Sequence, residues 1–135
     1  MKRPIAVAAG LVFRGGLLLI TQRRADDHLG GLWEFPGGKI EPFESPEECV
    51  IRELREELAI EVEVIGLTET IVHDYPEKTV ALQFFHCRCL RGEAQPLGCQ
   101  ALAWVRREQL STYSFPAADA QLLARLEHED QWWTE

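Results

Sequence analysis

The sequence has no long hydrophobic run. Its longest apolar stretch is Ile5 to Phe13, which is less than half of the about 20 predominantly apolar residues that a helix needs to cross a bilayer. The N-terminal residues also lack the charged, apolar and small-residue sections of a signal peptide. We therefore expect a cytoplasmic protein that does not act at a membrane.

Positive charge is scarce. The chain carries 14 Lys and Arg residues against 22 Asp and Glu residues, which gives a net charge of -8 at pH 7. Proteins that bind nucleic-acid polymers do so largely through basic residues that neutralise phosphates. The composition therefore argues against a nucleic-acid polymer as partner. If the protein binds phosphates, a cation from another source has to supply the positive charge.

Cysteine pairs of the C-x-x-C type are absent. The four cysteines are Cys49, Cys87, Cys89 and Cys99. Without an export signal, reduced thiols are the expected state. The alternative is a zinc site, because Cys87 and Cys89 would share one face of a strand and could be joined by Cys99 or His86.

Length and composition are those of an ordinary globular protein. The chain has 135 residues, of which 46% are hydrophobic and 27% are charged. These values exclude collagen-like, disordered and coiled-coil classes. A chain of this size is expected to form one domain, here residues 1–135.

Hydrophobic periodicity predicts strands around one central and one C-terminal helix. The expected strands are 5–13, 17–21, 32–35, 61–72, 79–89 and 101–105, and the expected helices are 45–58 and 117–126. Arg14-Gly15-Gly16 favours a hairpin turn, and Pro36-Gly37-Gly38 is expected to end the third strand. Ser45-Pro46-Glu47-Glu48 carries an N-cap serine, a proline at the first helical position and the glutamate of a capping box.

The central helix carries a cluster of carboxylates. At about 100° per residue, Glu53, Glu56 and Glu57 share one arc beside the apolar face that contains Leu54 and Leu58. Carboxylates three and four residues apart repel each other, so a cation should lie among them. A solvated acidic face balanced by neighbouring arginines is the alternative. Oxygen ligands of this kind suit Mg²⁺ or Mn²⁺, which would also supply the positive charge that a polyphosphate requires.

The segment 38–60 resembles the Nudix box, G-x5-E-x7-R-E-U-x-E-E-x-G-U, where U is a bulky aliphatic residue. Eight of the nine specified positions match, from Gly38 through Glu44 and Arg52 to Ile60. The departure is Ala59, where the family has glycine; an alanine is compatible there if the backbone avoids the left-handed region. The resemblance implies the Nudix fold, a mixed β-sheet between helices in an α/β/α sandwich.

The resemblance also implies residue roles. It assigns metal coordination to three carboxylates and a glycine carbonyl: Glu53, Glu56, Glu57, and Gly37 or Gly38. Glu53 is in addition the leading candidate to deprotonate or orient the attacking water. Glu44 and Arg52 would form an ion pair that fixes the loop on the helix.

Segments 22–24, 31–38, 100–104 and 115–119 extend the resemblance to MutT-type nucleoside triphosphate diphosphatases and, equally, to CTP diphosphatases. The substrate-binding residues implied are Arg23, His28, Glu34, Phe35, Lys78 and Asp119. Relatives often have a glutamate just before the strand 101–105, where it adds a metal ligand or assists the water. Here the loop reads Leu97-Gly98-Cys99-Gln100, which leaves the number of metal ions open.

Asp119 bears on the choice of base. MutT-type proteins that read 8-oxoguanine have asparagine at this site, and an ionised aspartate can only accept hydrogen bonds. Asp119 therefore favours a base edge with N–H donors, which cytosine, guanine and 8-oxoguanine all present. The alternative role is that of an acidic residue placed favourably in the first turn of a helix.

The resemblance thus implies a Mg²⁺-dependent enzyme that hydrolyses a (deoxy)nucleoside triphosphate to the monophosphate and pyrophosphate, of the kind that removes 8-oxo-dGTP from the nucleotide pool. The alternatives are a (d)CTP or 5-methyl-dCTP diphosphatase and a nucleotide-sensing module without turnover. The adenine-glycosylase accessory domain is disfavoured because the box is nearly complete and no glycosylase domain is present. A monomer or a homodimer is expected. Trp132 and Trp133 are expected to pack on their own domain, with another subunit as the alternative.

Overall fold

The computed structural model describes residues 3–134. Its strands are β1 (Ile5–Arg14), β2 (Leu17–Gln22), β3 (Trp33–Glu34), β4 (Gly37–Lys39), β5 (Glu61–Asp74), β6 (Thr79–Arg91) and β7 (Ala101–Val105). The α-helices are α1 (Pro46–Leu58) and α2 (Ala120–His128), and short 3₁₀ helices cover Arg107–Thr112, Ala117–Asp119 and Asp130–Thr134. The predicted strands and helices are therefore confirmed, with β5 and β6 longer than expected.

The strands form a mixed sheet with the order β3-β2-β1-β6-β5. β1 runs parallel to β6 from the pair Ile5–Val80 to the pair Phe13–Arg88, whereas the other pairings are antiparallel. β1 and β2 form the predicted hairpin, and its two glycines have positive φ. β2 separates from β1 beyond the hairpin, and β4 takes its place beside Val7–Ala9.

Helices cover both faces of the sheet. On one face, the buried α1 residues Val50 and Leu54 lie in one cluster with Val12 and Phe85 of the sheet. On the other face, α2 and the 3₁₀ segments pack on a second cluster that includes Leu122. Burial of these two apolar faces holds the three layers together, and the predicted α/β/α sandwich is confirmed.

Local signals define the start of α1. Ser45 accepts a hydrogen bond from the Glu48 backbone N–H at 3.0 Å, and the Glu48 carboxylate accepts one from the Ser45 N–H at 2.8 Å. The predicted capping box is therefore present. At the other end, Ala59 has φ 58° and ψ 34°. The backbone at Ala59 is thus left-handed, and the sequence-based condition that it avoids this region is not met. Alanine has steric strain in this conformation that glycine would not have.

The glycine pair after Pro36 forms a strand instead of ending one. Gly37–Lys39 pairs with Val7–Ala9 of β1. A Cβ atom on Gly37 would lie 2.1 Å from the Ala8 carbonyl oxygen, so the two backbones can approach this closely only because Gly37 has no side chain. The C-terminal helix also differs slightly from the prediction, because its first turn, Ala117–Asp119, is 3₁₀.

The C-terminal tryptophans pack on their own domain, as predicted. The Trp133 indole N–H donates to the Leu126 carbonyl at 2.9 Å, and its ring contacts Phe13 edge-on at 5.1 Å. The Arg125 guanidinium lies 4.8 Å from the centre of the Trp132 ring. Within residues 3–134, no helix is long and apolar enough to span a membrane.

All four cysteines are free thiols. Cys49, Cys87 and Cys99 are buried in the cluster beneath α1, whereas His86 stacks on Phe13 at 4.9 Å, a ring of the opposite face. Neighbouring residues of a strand point to opposite faces, so the zinc alternative that includes His86 is wrong. Nor do the cysteines take part in any metal-holding cluster within the described part of the chain.

Candidate active site

Arg52 joins the loop before α1 to the acidic arc of the helix. Its Nε and Nη2 atoms donate to the two carboxylate oxygens of Glu44 at 2.6 and 3.0 Å. Nη2 also donates to the Lys39 carbonyl at 3.2 Å, and Nη1 donates to Glu53 at 2.9 Å and to Glu56 at 3.3 Å. The hydrogen bond from Arg52 lowers the pKa of Glu44 to about 2. The structure thus brings Glu44 and Arg52 together in a bidentate pair.

Glu53 lies directly against Gly38. A Cβ atom on Gly38 would be 2.5 Å from Cδ of the Glu53 carboxylate. The side chain of Glu53 is only 14% exposed, and Arg52 holds it in this position. A glycine is required here because the carboxylate occupies the space that a side chain would fill.

Glu57 lies one helical turn after Glu53. Burial raises the pKa of Glu57 to about 8, with the negative charge of Glu53 as the next cause. When two neighbouring carboxylates have little contact with water, ionising both is unfavourable unless a positive charge lies close to both. This end of the site therefore has the electrostatics of a cation site.

The carboxylates face a cleft of about 430 Å³, a volume typical of small-molecule sites. All six predicted substrate residues line this cleft: Arg23, His28, Glu34, Phe35, Lys78 and Asp119. Four of the predicted metal residues also line it, namely Gly37, Gly38, Glu53 and Glu57. Glu56, Arg52 and Glu44 are not part of its wall. Residues far apart in the chain thus meet in one cavity.

Arg23 donates hydrogen bonds to two other residues that line the cleft. Its Nη1 donates to Glu34 at 2.8 Å and its Nε donates to the His28 carbonyl at 2.6 Å. Burial raises the pKa of Glu34, and the charge of Arg23 opposes this shift. Arg23 therefore holds Glu34 and the loop at His28 in place, and its Nε and Nη1 atoms already donate hydrogen bonds within the protein.

Phe35 forms part of the cleft wall, and its ring is not open for a base to stack on it. It is 4% exposed, stacks on Phe115 at 5.2 Å and meets Phe84 edge-on at 5.9 Å. The family resemblance implied only that Phe35 binds substrate. In the fold, Phe115 stacks on this ring, so Phe35 shapes the cleft mainly by packing.

Asp119 is buried at the end of the cleft. Its residue exposure is 6%, and it does not cap α2 through its side chain. Burial, and to a smaller extent the negative charge of Glu34, raises the pKa of Asp119 to about 7. The assumption of a fully ionised aspartate therefore holds only above neutral pH. Below that, the protonated carboxyl can also donate a hydrogen bond.

A family model described as NUDIX domain matches residues 8–125. The chain belongs to the Nudix family. It is 38% identical to the CTP pyrophosphohydrolase of Escherichia coli (strain K12) over 119 residues, 88% of each protein. It is 34% identical to the 8-oxo-dGTP diphosphatase of the same strain over 127 residues, 93% of this chain and 98% of that protein. The MutT protein from Methanosarcina mazei Go1 has a similar fold, with a TM-score of 0.84, 25% identity, and coverage of 97% of this chain and 99% of that one.

Nudix hydrolases generally use divalent metal ions, and the donor set here suits such an ion. Hard divalent cations prefer carboxylate and carbonyl oxygens, which Glu53, Glu57 and Gly38 offer at one wall of the cleft. As the side chains lie, however, no three Asp, Glu, His or Cys residues within 3–134 are arranged to hold an ion. The Glu56 carboxylate is 60% exposed and turns toward Arg52. Arg52 Nη1 thus lies between Glu53 and Glu56, and the assignment of the three glutamates as metal ligands stays a prediction.

Other residues of the Nudix cleft were not found by sequence reasoning. Tyr75, Lys39 and Cys99 line it. Cys99 belongs to the loop in which relatives often have a glutamate, and the N–H groups of Leu97 and Gly98 in that loop both donate to the Glu57 carbonyl at 3.0 Å. The only available signal was the position of this loop next to the predicted strand 101–105. For Tyr75, nothing in the turn-rich segment 74–77 pointed to the cleft.

Proposed function

We propose that this Nudix hydrolase converts a (deoxy)nucleoside triphosphate to the monophosphate and pyrophosphate with Mg²⁺, for which Mn²⁺ can substitute, in the manner of an 8-oxo-dGTP diphosphatase. One observation carries the proposal: a single cleft joins the acidic wall at Glu53 and Glu57 to a buried polar end at Asp119. The acidic wall suits a metal-bound polyphosphate and the buried end suits a base. Curated relatives named as diphosphatases support the same assignment.

The acidic wall would hold the metal ion through Glu53, Glu56, Glu57 and a glycine carbonyl, that of Gly37 or Gly38. A divalent ion held by these residues would neutralise charge on the phosphate oxygens and lower the pKa of bound water. Glu53 would accept a proton from the attacking water. The space that Gly38 leaves for its carboxylate and the hydrogen bond from Arg52 support this role. Arg52 has to release Glu56 for that residue to join the metal site.

The opposite end of the cleft would select the base. Asp119 reads N–H donors, and Arg23 fixes Glu34 beside it. His28 and Lys78 also line the cleft and would contact the rest of the nucleotide. This set also suits (d)CTP or 5-methyl-dCTP, a second candidate that the 38% identity to a CTP pyrophosphohydrolase favours.

The test of the catalytic assignment is Glu53→Gln. We expect kcat to fall by at least about 100-fold at saturating Mg²⁺, since loss of a general base typically costs this much or more, while the circular dichroism spectrum stays that of the wild type. Glu47→Gln is the matched control, because Glu47 is an exposed glutamate on the same helix. Wild-type turnover in Glu53→Gln would refute the role given to Glu53.

A nucleotide panel separates the remaining alternatives. Pyrophosphate release from 8-oxo-dGTP, dGTP, dCTP, CTP and 5-methyl-dCTP, compared as kcat/KM, ranks the bases. Tight nucleotide binding without pyrophosphate release would instead identify a sensing module. We further propose that the protein acts in the cytoplasm on free nucleotides, consistent with its four free thiols and net charge of -8. Light scattering would determine whether it is a monomer or a homodimer.

A further inference from the structure

Tyr75 occupies a position in the cleft that the proposed reaction does not use. It follows β5 directly and lines the same cavity as Asp119 and His28. Its backbone N–H donates to the Lys78 carbonyl at 2.7 Å, and the Lys78 N–H donates back at 3.3 Å. The hairpin turn that carries Tyr75 is therefore tight, and its backbone is held in one place.

Two histidines fix the ring of Tyr75. His73 contacts it at 4.6 Å with an interplanar angle of 63°, and His28 contacts it edge-on at 5.2 Å with an angle of 89°. His28 belongs to the loop between β2 and β3, so the Tyr75 ring links that loop to the β5–β6 turn. Edge contacts of this kind restrict the ring to one orientation.

The hydroxyl group of Tyr75 has no hydrogen-bond partner among residues 3–134. A half-buried phenol usually finds such a partner. Burial raises the pKa of Tyr75, and the negative charge of Asp119 raises it further, so the group stays protonated and can donate. Asp119 is itself buried and makes no side-chain cap bond. A donor and an acceptor without partners thus lie at the same end of the cleft.

We propose that Tyr75 is a specificity-determining residue, whose hydroxyl donates a hydrogen bond to an acceptor atom of the base while Asp119 pairs with the adjacent N–H donor. The base class that fits this pair has a donor beside an acceptor, such as the N4 amine and N3 of cytosine or N1–H and O6 of guanine. The inference rests on the proposed nucleotide site and adds a base contact that the Nudix box does not specify.

The experiment measures binding of 5′-monophosphates at pH 8 to the full chain and to Tyr75→Phe, which keeps the ring. The ligands are dCMP with 3-deaza-dCMP, which lacks the N3 acceptor, and dGMP with 6-thio-dGMP, which keeps N1–H but has a weakly accepting sulfur in place of O6. We expect Tyr75→Phe to weaken binding of the better natural ligand about tenfold, the effect of one net hydrogen bond. The analogue of that ligand should bind equally well to the wild type and to Tyr75→Phe. Tyr113→Phe removes the same hydroxyl group outside the cleft and should bind like the wild type.

The outcomes are distinct from those of the catalytic test. Unchanged binding of the natural ligand to Tyr75→Phe would overturn the inference, as would an equal loss for ligand and analogue, because packing alone explains that result. A base-dependent loss in a protein without pyrophosphate release would support Tyr75 as a base contact and refute the hydrolase proposal. Absence of binding for every monophosphate would overturn the inference, whereas the hydrolase proposal is tested by pyrophosphate release from the triphosphates.

Discussion

Asp119→Asn tests whether the polar end of the cleft is as poorly hydrated as the fold implies. Asp119 is 6% exposed, and burial raises its pKa from the ordinary 3.8 to about 7. Asparagine has nearly the same shape and cannot ionise. The substitution therefore removes the cost of a buried charge and leaves the packing of the 3₁₀ turn almost unchanged.

The direction of the shift in the pKa of Asp119 fixes how the unfolding free energy changes with pH. Because the folded-state pKa lies above the unfolded value, the stability contributed by Asp119 is fully present below pH 3.8 and is lost as pH rises toward 7. At about 1.4 kcal/mol for each tenfold change in proton affinity, the loss reaches about 1–2 kcal/mol at pH 5 and about 4 kcal/mol above pH 7. Between pH 5 and pH 8, ionisation of Asp119 therefore costs the wild type about 3 kcal/mol of unfolding free energy.

Urea unfolding of the wild type and Asp119→Asn at pH 5 and pH 8 measures this difference. We expect the advantage of the variant over the wild type to grow by about 3 kcal/mol from pH 5 to pH 8. Asp26→Asn is the control, because Asp26 is exposed and the same chemical change there should have the same effect at both pH values. Parallel pH profiles for the wild type and Asp119→Asn would show that the carboxyl is hydrated and would refute the burial argument.

Two further predictions concern glycine positions of the box. Gly38→Ala should lower kcat about 100-fold, since a displaced catalytic group typically costs this much and the new Cβ would lie 2.5 Å from the Glu53 carboxylate carbon. Gly66→Ala is the control, because a Cβ atom on Gly66 would have no atom within 4 Å. Wild-type turnover in Gly38→Ala would contradict the prediction. Ala59→Gly should raise the unfolding free energy by about 0.5–1 kcal/mol, because Ala59 has φ 58° and glycine relieves left-handed strain. An unchanged or lower urea midpoint for that variant would count against this strain.

Sequence reasoning succeeded where interactions are local. The hairpin turn at Gly15-Gly16, the capping box of Ser45 and Glu48, and the carboxylate arc of α1 involve residues within a few positions of one another. Such features follow from backbone preferences and helix periodicity. The Nudix box also lies within one continuous segment, which is why the family was evident before the fold.

Features that depend on distant backbone contacts were missed. β4 exists because Gly37 lets the chain approach Ala8 of β1, and nothing near Gly37 in the sequence indicates that partner. The left-handed backbone at Ala59 likewise depends on how the chain turns from α1 into β5. Tyr75 reaches the cleft only because the long β5–β6 hairpin carries it to the loop at His28.

The sequence by itself therefore determined the family, the main secondary structure and which glutamates share one face of α1, because short-range periodicity encodes these properties. The tertiary structure decided how those groups behave. It turned Glu56 toward Arg52, buried Asp119 near Glu34 and raised the pKa values of Asp119 and Glu57. Hydration and charge–charge distances depend on residues that are far apart in the chain and meet only when the sheet and helices pack.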